Sequence, residues 1–225
     1  MSLSPRDVIK RAARLHGAIA SGDDPTADEM VDALIALNTM KRAMFGTVIG
    51  TRLSAQDATG STMQAENGGL YQIPAALFTL TAPSKPRGGS RFGVADPNLN
   101  FATNNCTIAR NGRLVEGLAA NLVLSVAGTS RNWWFRPDTG NWTRETDYVT
   151  PDDTIEFPDG LIAYLPYLLA VAFAAEYGAD LRQDVIAGAA EGREAFVKAY
   201  GRHGRNQLDP PIGSAPQAQP QPQAR

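Results

Sequence analysis

Asn132–Arg144 reads NWWFRPDTGNWTR. Two runs of strand-forming residues, Asn132–Arg136 and Asn141–Arg144, flank Pro137-Asp138-Thr139-Gly140, where proline and glycine stand in the places a tight turn uses them. The pattern predicts an antiparallel hairpin. Successive side chains on a strand point to opposite faces, so Trp133 and Trp134 cannot both readily enter the same small core. One of the two is expected to be exposed or buried against a partner. With Trp142 they make a set of candidate interface residues, since tryptophans often anchor protein contacts.

The same alternation of strand and turn signals extends upstream. Asn111-Gly112 separates Cys106–Arg110 from Arg113–Glu116, and Asn-Gly suits a type I′ turn because both central residues need positive φ. Asn121–Val126 (NLVLSV) reads as a strand, and Leu70–Thr81 as one interrupted at Pro74. Gly46–Gly50 is a short β-branched run. The polar, glycine-rich stretch 54–69 and the proline-, glycine- and asparagine-rich stretch 82–105 read as loops. Residues 46–154 are therefore expected to form a small antiparallel sheet or open barrel.

Helical signals lie on both sides. Ser4-Pro5 followed by Asp7 marks a helix start, and Val8, Ala12, Leu15 and Ile19 follow at helical spacing. Lys10, Arg11 and Arg14 fall off that stripe and read as a solvated face. Thr26 with Glu29 is a capping box that opens a second helix carrying Met30, Leu34, Leu37 and Met44. Residues 161–177 are almost uncharged, with Glu176 the exception, and shorter than the ~20 residues a membrane span needs. They read as a core helix ended by Gly178. Residues 180–203 form a last helix with Val185, Ala189, Phe196 and Tyr200 on one side and a basic end. Residues 207–225 hold five prolines, five glutamines and few large apolar residues, which makes an extended tail. The expected fold class is α+β: a four-helix core from residues 1–45 and 155–206, an inserted antiparallel β region at 46–154, and the extended C-terminal tail.

Composition narrows function. Apolar residues are 43% of 225, charged residues 20%, and the formal charge is −2, so the chain is globular and bulk charge gives no reason for nucleic-acid binding. The N-terminus lacks an apolar leader core, and a single cysteine excludes an internal disulfide framework; a soluble protein of a reducing compartment is expected. No phosphate-cradling loop, dinucleotide fingerprint, His-Glu-x-x-His or Gly-x-Ser-x-Gly is present. The pairs Asp23-Asp24 and Asp152-Asp153 sit beside prolines and read as turn and helix-entry residues. Cys106 with His16 or His203 makes a nucleophile pair only if the fold joins them. No catalytic, cofactor or metal residue is therefore assigned. The basic end of the last helix, Arg193, Lys198, Arg202 and Arg205, either offsets the helix dipole or faces phosphates in a DNA channel.

Val8–Gly22, then Pro25–Asn38, resembles the opening of tailed-phage head-to-tail adaptors, the head-completion or packaged-DNA-stabilisation proteins of short-tailed phages. The shared positions are Gly22, Pro25, Glu29, Leu37 and Asn38. The Trp134–Trp142 hairpin, the apolar helix, Glu176-Tyr177-Gly178, Phe196 and Tyr200 are similar too. The tryptophan that the family often carries after the Leu-Asn pair is missing from Met40–Phe45, and 82–105 matches nothing in it. The resemblance implies a non-enzymatic virion protein at the head–tail junction, made in the host cytoplasm. It implies a ring of identical subunits, commonly a dodecamer, that binds the portal protein, extends the channel for packaged double-stranded DNA, and receives tail components such as nozzle or fibre proteins. It also implies that the C-terminal segment lies along the portal, which makes Gln207, Leu208, Pro210, Pro211 and Ile212 candidate portal contacts. A small cytoplasmic enzyme and a free DNA-binding module are the rival expectations.

Overall fold

The computed structural model describes residues 3–20, 22–74, 76–177 and 180–201, with the backbone alone at 175–177. Two helices open the chain, Pro5–His16 (α1) and Ala27–Met44 (α2). Ten strands follow: Ser54–Asp57 (β1), Thr62–Gln64 (β2), Gly69–Gln72 (β3), Phe78–Thr81 (β4), Arg91–Ala95 (β5), Cys106–Ala109 (β6), Leu114–Val115 (β7), Leu122–Leu124 (β8), Ser130–Arg136 (β9) and Asn141–Arg144 (β10). Asp159–Ile162 (α3), Leu165–Tyr177 (α4) and Gln183–Tyr200 (α5) complete the order.

Both N-terminal helix starts form as their sequences predict. The Asp7 amide donates to Ser4 Oγ while the Ser4 amide donates to the Asp7 carboxylate, and Thr26 and Glu29 repeat the exchange on α2. The apolar run at 161–177 divides into α3 and α4 ahead of Pro166, instead of making one helix. The Gly178 stop lies outside the described residues.

The strands wind between two sheets. β1, β3 and β5 are parallel neighbours in a six-stranded sheet of order β1-β3-β5-β9-β10-β7. β2, β4 and β6 are parallel neighbours in a four-stranded sheet of order β2-β4-β6-β8. From β1 to β6 the chain thus changes sheet at every step, and each parallel crossover is made by a strand of the other sheet. β8 and β9 then return antiparallel to β6 and β5. Tyr71, Phe78, Leu80, Phe92, Ile108 and Trp133 are buried together in one cluster drawn from both sheets.

This architecture corrects the α+β expectation. The chain is α/β, with two mixed sheets and helices, and not a four-helix core carrying a small inserted β region. The physical reason is that β9 sends side chains into two cores, so the six-stranded sheet packs on the second sheet through one face and meets the helical layer at Trp134 through the other. Phe92 and Trp133 are cross-strand partners, stacked at 5.1 Å inside the two-sheet core. Arg91 and Trp134 are the next pair, and Trp134 joins the other apolar cluster, packing on Phe45, Phe157 and Tyr200. The helices therefore share their core with a sheet and do not close one among themselves.

Several local expectations change with it. The 106–116 turn forms with positive φ at Asn111 and Gly112, but its arms enter different sheets, so it joins layers and is no hairpin. The 132–144 hairpin is present, with Asn141 opposite Arg136 and Trp142 opposite Phe135. Gly46–Gly50 is a turn closed by a bridge between Phe45 and Ile49. The loops expected at 54–69 and 82–105 contain β1, β2 and β5. β1 and β2 are short, polar and mostly exposed, and β5 is a five-residue strand with an arginine and a glycine between its apolar residues, so none carries a long apolar run. Gly93 in β5 sits close to its neighbours: a Cβ there would lie 2.3 Å from Asn132 Oδ1, so the Asn132 side chain would have to turn aside.

Parts of 82–105 outside β5 are also packed, Ala82, Ser90, Asp96 and Phe101 among them. Asp96 is buried and accepts backbone N–H bonds from Asn100, Phe101 and Gly128. Burial works against its charge, but the amides outweigh it and hold the carboxyl below its ordinary value. The folded-state value is thus depressed, so the stabilisation is present above the unfolded value of ~3.9 and is lost as pH falls through the folded one. Asp96→Asn is expected to lower stability near neutral pH. Urea titrations should show the gap from wild type closing below about pH 4; a gap independent of pH would exclude the charge as its origin. Trp134→Ala and Trp133→Ala are each expected to cost ~3–5 kcal/mol in the isolated chain. A tryptophan reserved for a partner would leave that denaturation midpoint unchanged.

Candidate protein-docking face

The three tryptophans are corrected as interface residues. Trp133, Trp134 and Trp142 are all fully buried within the chain. The premise of one small core fails, because β9 has a core on each side.

The outer face of the helices offers a different surface. α2, α4 and α5 enclose a groove of about 1090 Å³. Its apolar lining includes Ile35, Met40, Met44, Leu168, Val171 and Ile186, and its charged groups include Asp32 and Arg193. Ile35 is 57% exposed, Ile186 45% and Val171 38%. Val31, one turn before Ile35, is 58% exposed. α2 thus carries two apolar stripes: Met30, Ala33 and Leu37 turn inward, while Val31 and Ile35 turn to water. The second stripe was the available signal in sequence, and the capping-box reading of α2 passed over it. Ala36, Ala43, Ala172, Ala189 and Ala190 add small residues that let another chain approach closely.

Of the basic cluster, Arg193 and Lys198 are the described members. Arg193 lines the groove and Lys198 is exposed, but their spacing turns them about 140° apart around α5. Arg202, Arg205, Gln207, Leu208, Pro210, Pro211 and Ile212 lie outside the described residues, as does His203.

The candidate nucleophile pair is not assembled. Cys106 is fully buried in the two-sheet core, and burial pushes its thiol up to about 12. His16 stands at the end of α1 against Phe173. The carboxylate pairs serve structure: Asp24 receives Lys10 at 2.8 Å, Asp152 receives the Arg6 fork at 2.8 and 2.9 Å, and Asp153 accepts the amides of Val149 and Thr150. The bond from Arg6 holds Asp152 below its ordinary value, and the bonds from Thr150 do the same for Asp153. Among the described residues, no group of three or more His, Cys, Asp or Glu could hold a metal, and no helix is long and apolar enough to cross a membrane.

Sequence reasoning missed the buried polar contacts that position the groove-bearing helix. Asn38 grips the backbone of Tyr148 on both sides: its Nδ2 donates to the carbonyl at 2.9 Å and its Oδ1 accepts from the amide at 2.8 Å. One turn later Lys41 Nζ meets Glu156 at 2.6 Å and lies 3.9 Å over the Tyr148 ring. The Tyr148 hydroxyl donates to Glu156 at 2.8 Å, and burial beside that carboxylate pushes it far above the usual phenol range. No protein-family model and no curated protein matches the chain.

Asn38→Ala leaves a buried amide and carbonyl unpaired and is expected to cost ~1–3 kcal/mol. Urea denaturation measures it, and an unchanged midpoint would show that the grip contributes nothing to stability.

Proposed function

We propose that the chain is a non-enzymatic virion protein, a head-to-tail adaptor that assembles as a ring beneath the portal. It extends the DNA channel, helps retain packaged double-stranded DNA and provides a platform for tail components. The observation that carries this reading is the apolar groove on the helical layer. Exposed Val31, Ile35, Val171 and Ile186 form a surface that water disfavours and that a neighbouring identical subunit would cover. The order of adaptor-like residues supports it, and those residues serve the helical layer: Glu29 caps α2, Leu37 is buried in its core, and Asn38 grips Tyr148. In this reading the segment from Gln207 to Ile212 contacts the portal, and the protein resides at the head–tail junction of the virion.

The chain mixed with its portal protein is expected to give rings in negative-stain images. Ile35→Asp combined with Ile186→Asp places charges in the groove and is expected to lower ring yield at least tenfold, since each large apolar side chain contributes ~1.5–3 kcal/mol on burial. Both residues are exposed in the single chain, so its circular dichroism should be unaltered. Rings at full yield from the double variant would remove the groove from the subunit interface.

A further inference from the structure

In a closed ring of identical subunits each contact is heterologous, so the groove of one copy is covered by a different surface of the next. The charge pattern singles out one such surface. Residues 58–65, 67–84, 97–109 and 117–130 include no charged residue, in a chain of which 20% is charged. Each of these runs holds one strand of the four-stranded sheet: β2, β4, β6 and β8 in turn. Phe78, Leu80, Cys106, Ile108 and Leu124 are buried, and alternation along the strands turns the residues between them outward. Thr62, Thr79, Thr107 and Val123 therefore stand side by side, in register across all four strands. Val123 is 52% exposed, and Leu77 and Val126 add exposed aliphatic groups at one end of the same sheet. Sheet edges left to water are usually guarded by charged side chains, and the two edge strands here, β2 and β8, carry none.

This face suits the groove in position and in charge. The six-stranded sheet lies between the four-stranded sheet and the helical layer, so the two surfaces stand on opposite sides of the layers. Asp32 and Arg193 give the groove one charge of each sign, which matches a neutral cover. Threonine hydroxyls both donate and accept, and so serve either charge. Val31, Ile35 and Ile186 stand out from the helices at the groove, and a sheet face of threonine and valine methyls is a surface on which helices pack.

We infer that the outer face of the four-stranded sheet of one copy covers the groove between α2, α4 and α5 of the next copy. The inference rests on the ring reading for the requirement that the two faces differ. The contact repeats head to tail, and a terminal copy keeps one face uncovered until the ring closes.

Two full-length variants test it. Ile35→Asp with Ile186→Asp spoils the groove and leaves the sheet face intact; Thr62→Asp with Val123→Asp does the reverse. All four positions are exposed, so circular dichroism should match wild type. Sedimentation at high protein concentration is expected to show wild type as a series of oligomers and each variant alone as a monomer. The equimolar mixture is expected to give a dimer that grows no further, at least tenfold tighter than either variant with itself. A mixture that stays monomeric overturns the inference, and so does a sheet-face variant that still associates with itself. If the mixed dimer forms but wild type gives no rings with a portal, the adaptor reading fails and the head-to-tail contact stands. If the sheet-face variant gives rings on a portal at full yield, the adaptor reading stands and this contact falls.

Discussion

Trp133 and Trp134 leave β9 in opposite directions, and both end out of water. This double burial governs the architecture. Phe92, Val94 and Trp133 make one face of its central strands apolar throughout, while the other face, with Arg91, Gly93, Ser130, Asn132 and Arg136, is mostly polar and enters a core through Trp134, so the sheet is covered fully on one side and locally on the other. One cover is the four-stranded sheet, reached by alternating strands from β1 to β6. The other is the helical layer, which presents Phe45, Phe157 and Tyr200 to the Trp134 ring. Helices that cover a sheet turn one side inward and leave the other to solvent. The groove lies on that other side.

Apolar burial alone would tolerate sliding of the helices over the sheet, and buried polar contacts fix their position. Arg91, in register with Trp134, reaches Glu145 at 2.6 and 2.8 Å and the Thr51 carbonyl at 2.9 Å. It joins β5, the segment after β10 and the link after α2. Lys41, Tyr148 and Glu156 do the same between α2 and the 145–157 segment. Such groups gain little net stability over apolar replacements, because desolvation offsets much of their attraction. A displaced partner, however, would leave a charge buried and unpaired. The contacts therefore select one arrangement of layers.

The ends of the chain were more legible than its middle. Ser4 with Asp7 and Thr26 with Glu29 announce helices through local hydrogen bonds that depend on no tertiary contact. The 137–140 turn is equally local. The parallel coil was not legible, because its evidence is non-local: β1 and β2 are too short and polar to stand out, β5 holds only Phe92 and Val94 as large apolar residues within a loop-like composition, and Asn111-Gly112 gives the turn without saying that its arms part. The tryptophans misled for a related reason. Their opposite directions were read correctly, but one core was assumed where two exist. The groove was half visible in the Val31–Ile35 stripe, whereas Asn38 and Lys41 revealed their roles only once 145–157 was in place.

The shape of the docking face follows from how α5 is held. A Cβ at Gly188 would lie 2.6 Å from the Tyr167 ring, and one at Gly192 would lie 2.7 Å from Tyr164 Cβ. These two positions let α5 sit close against the α3–α4 corner. At its far end Gly88 and Gly89 pass so near the carbonyls of Ala199 and Tyr200 that no side chain fits there. α5 is thus fixed along its length by contacts made where it has no bulk. Its larger exposed groups, Ile186, Arg193 and Val197, are left on surfaces that none of these contacts uses. A helix pinned in this manner keeps the wall of the groove in place before any partner arrives, and a preformed wall reduces the ordering cost of binding whichever chain lies against it.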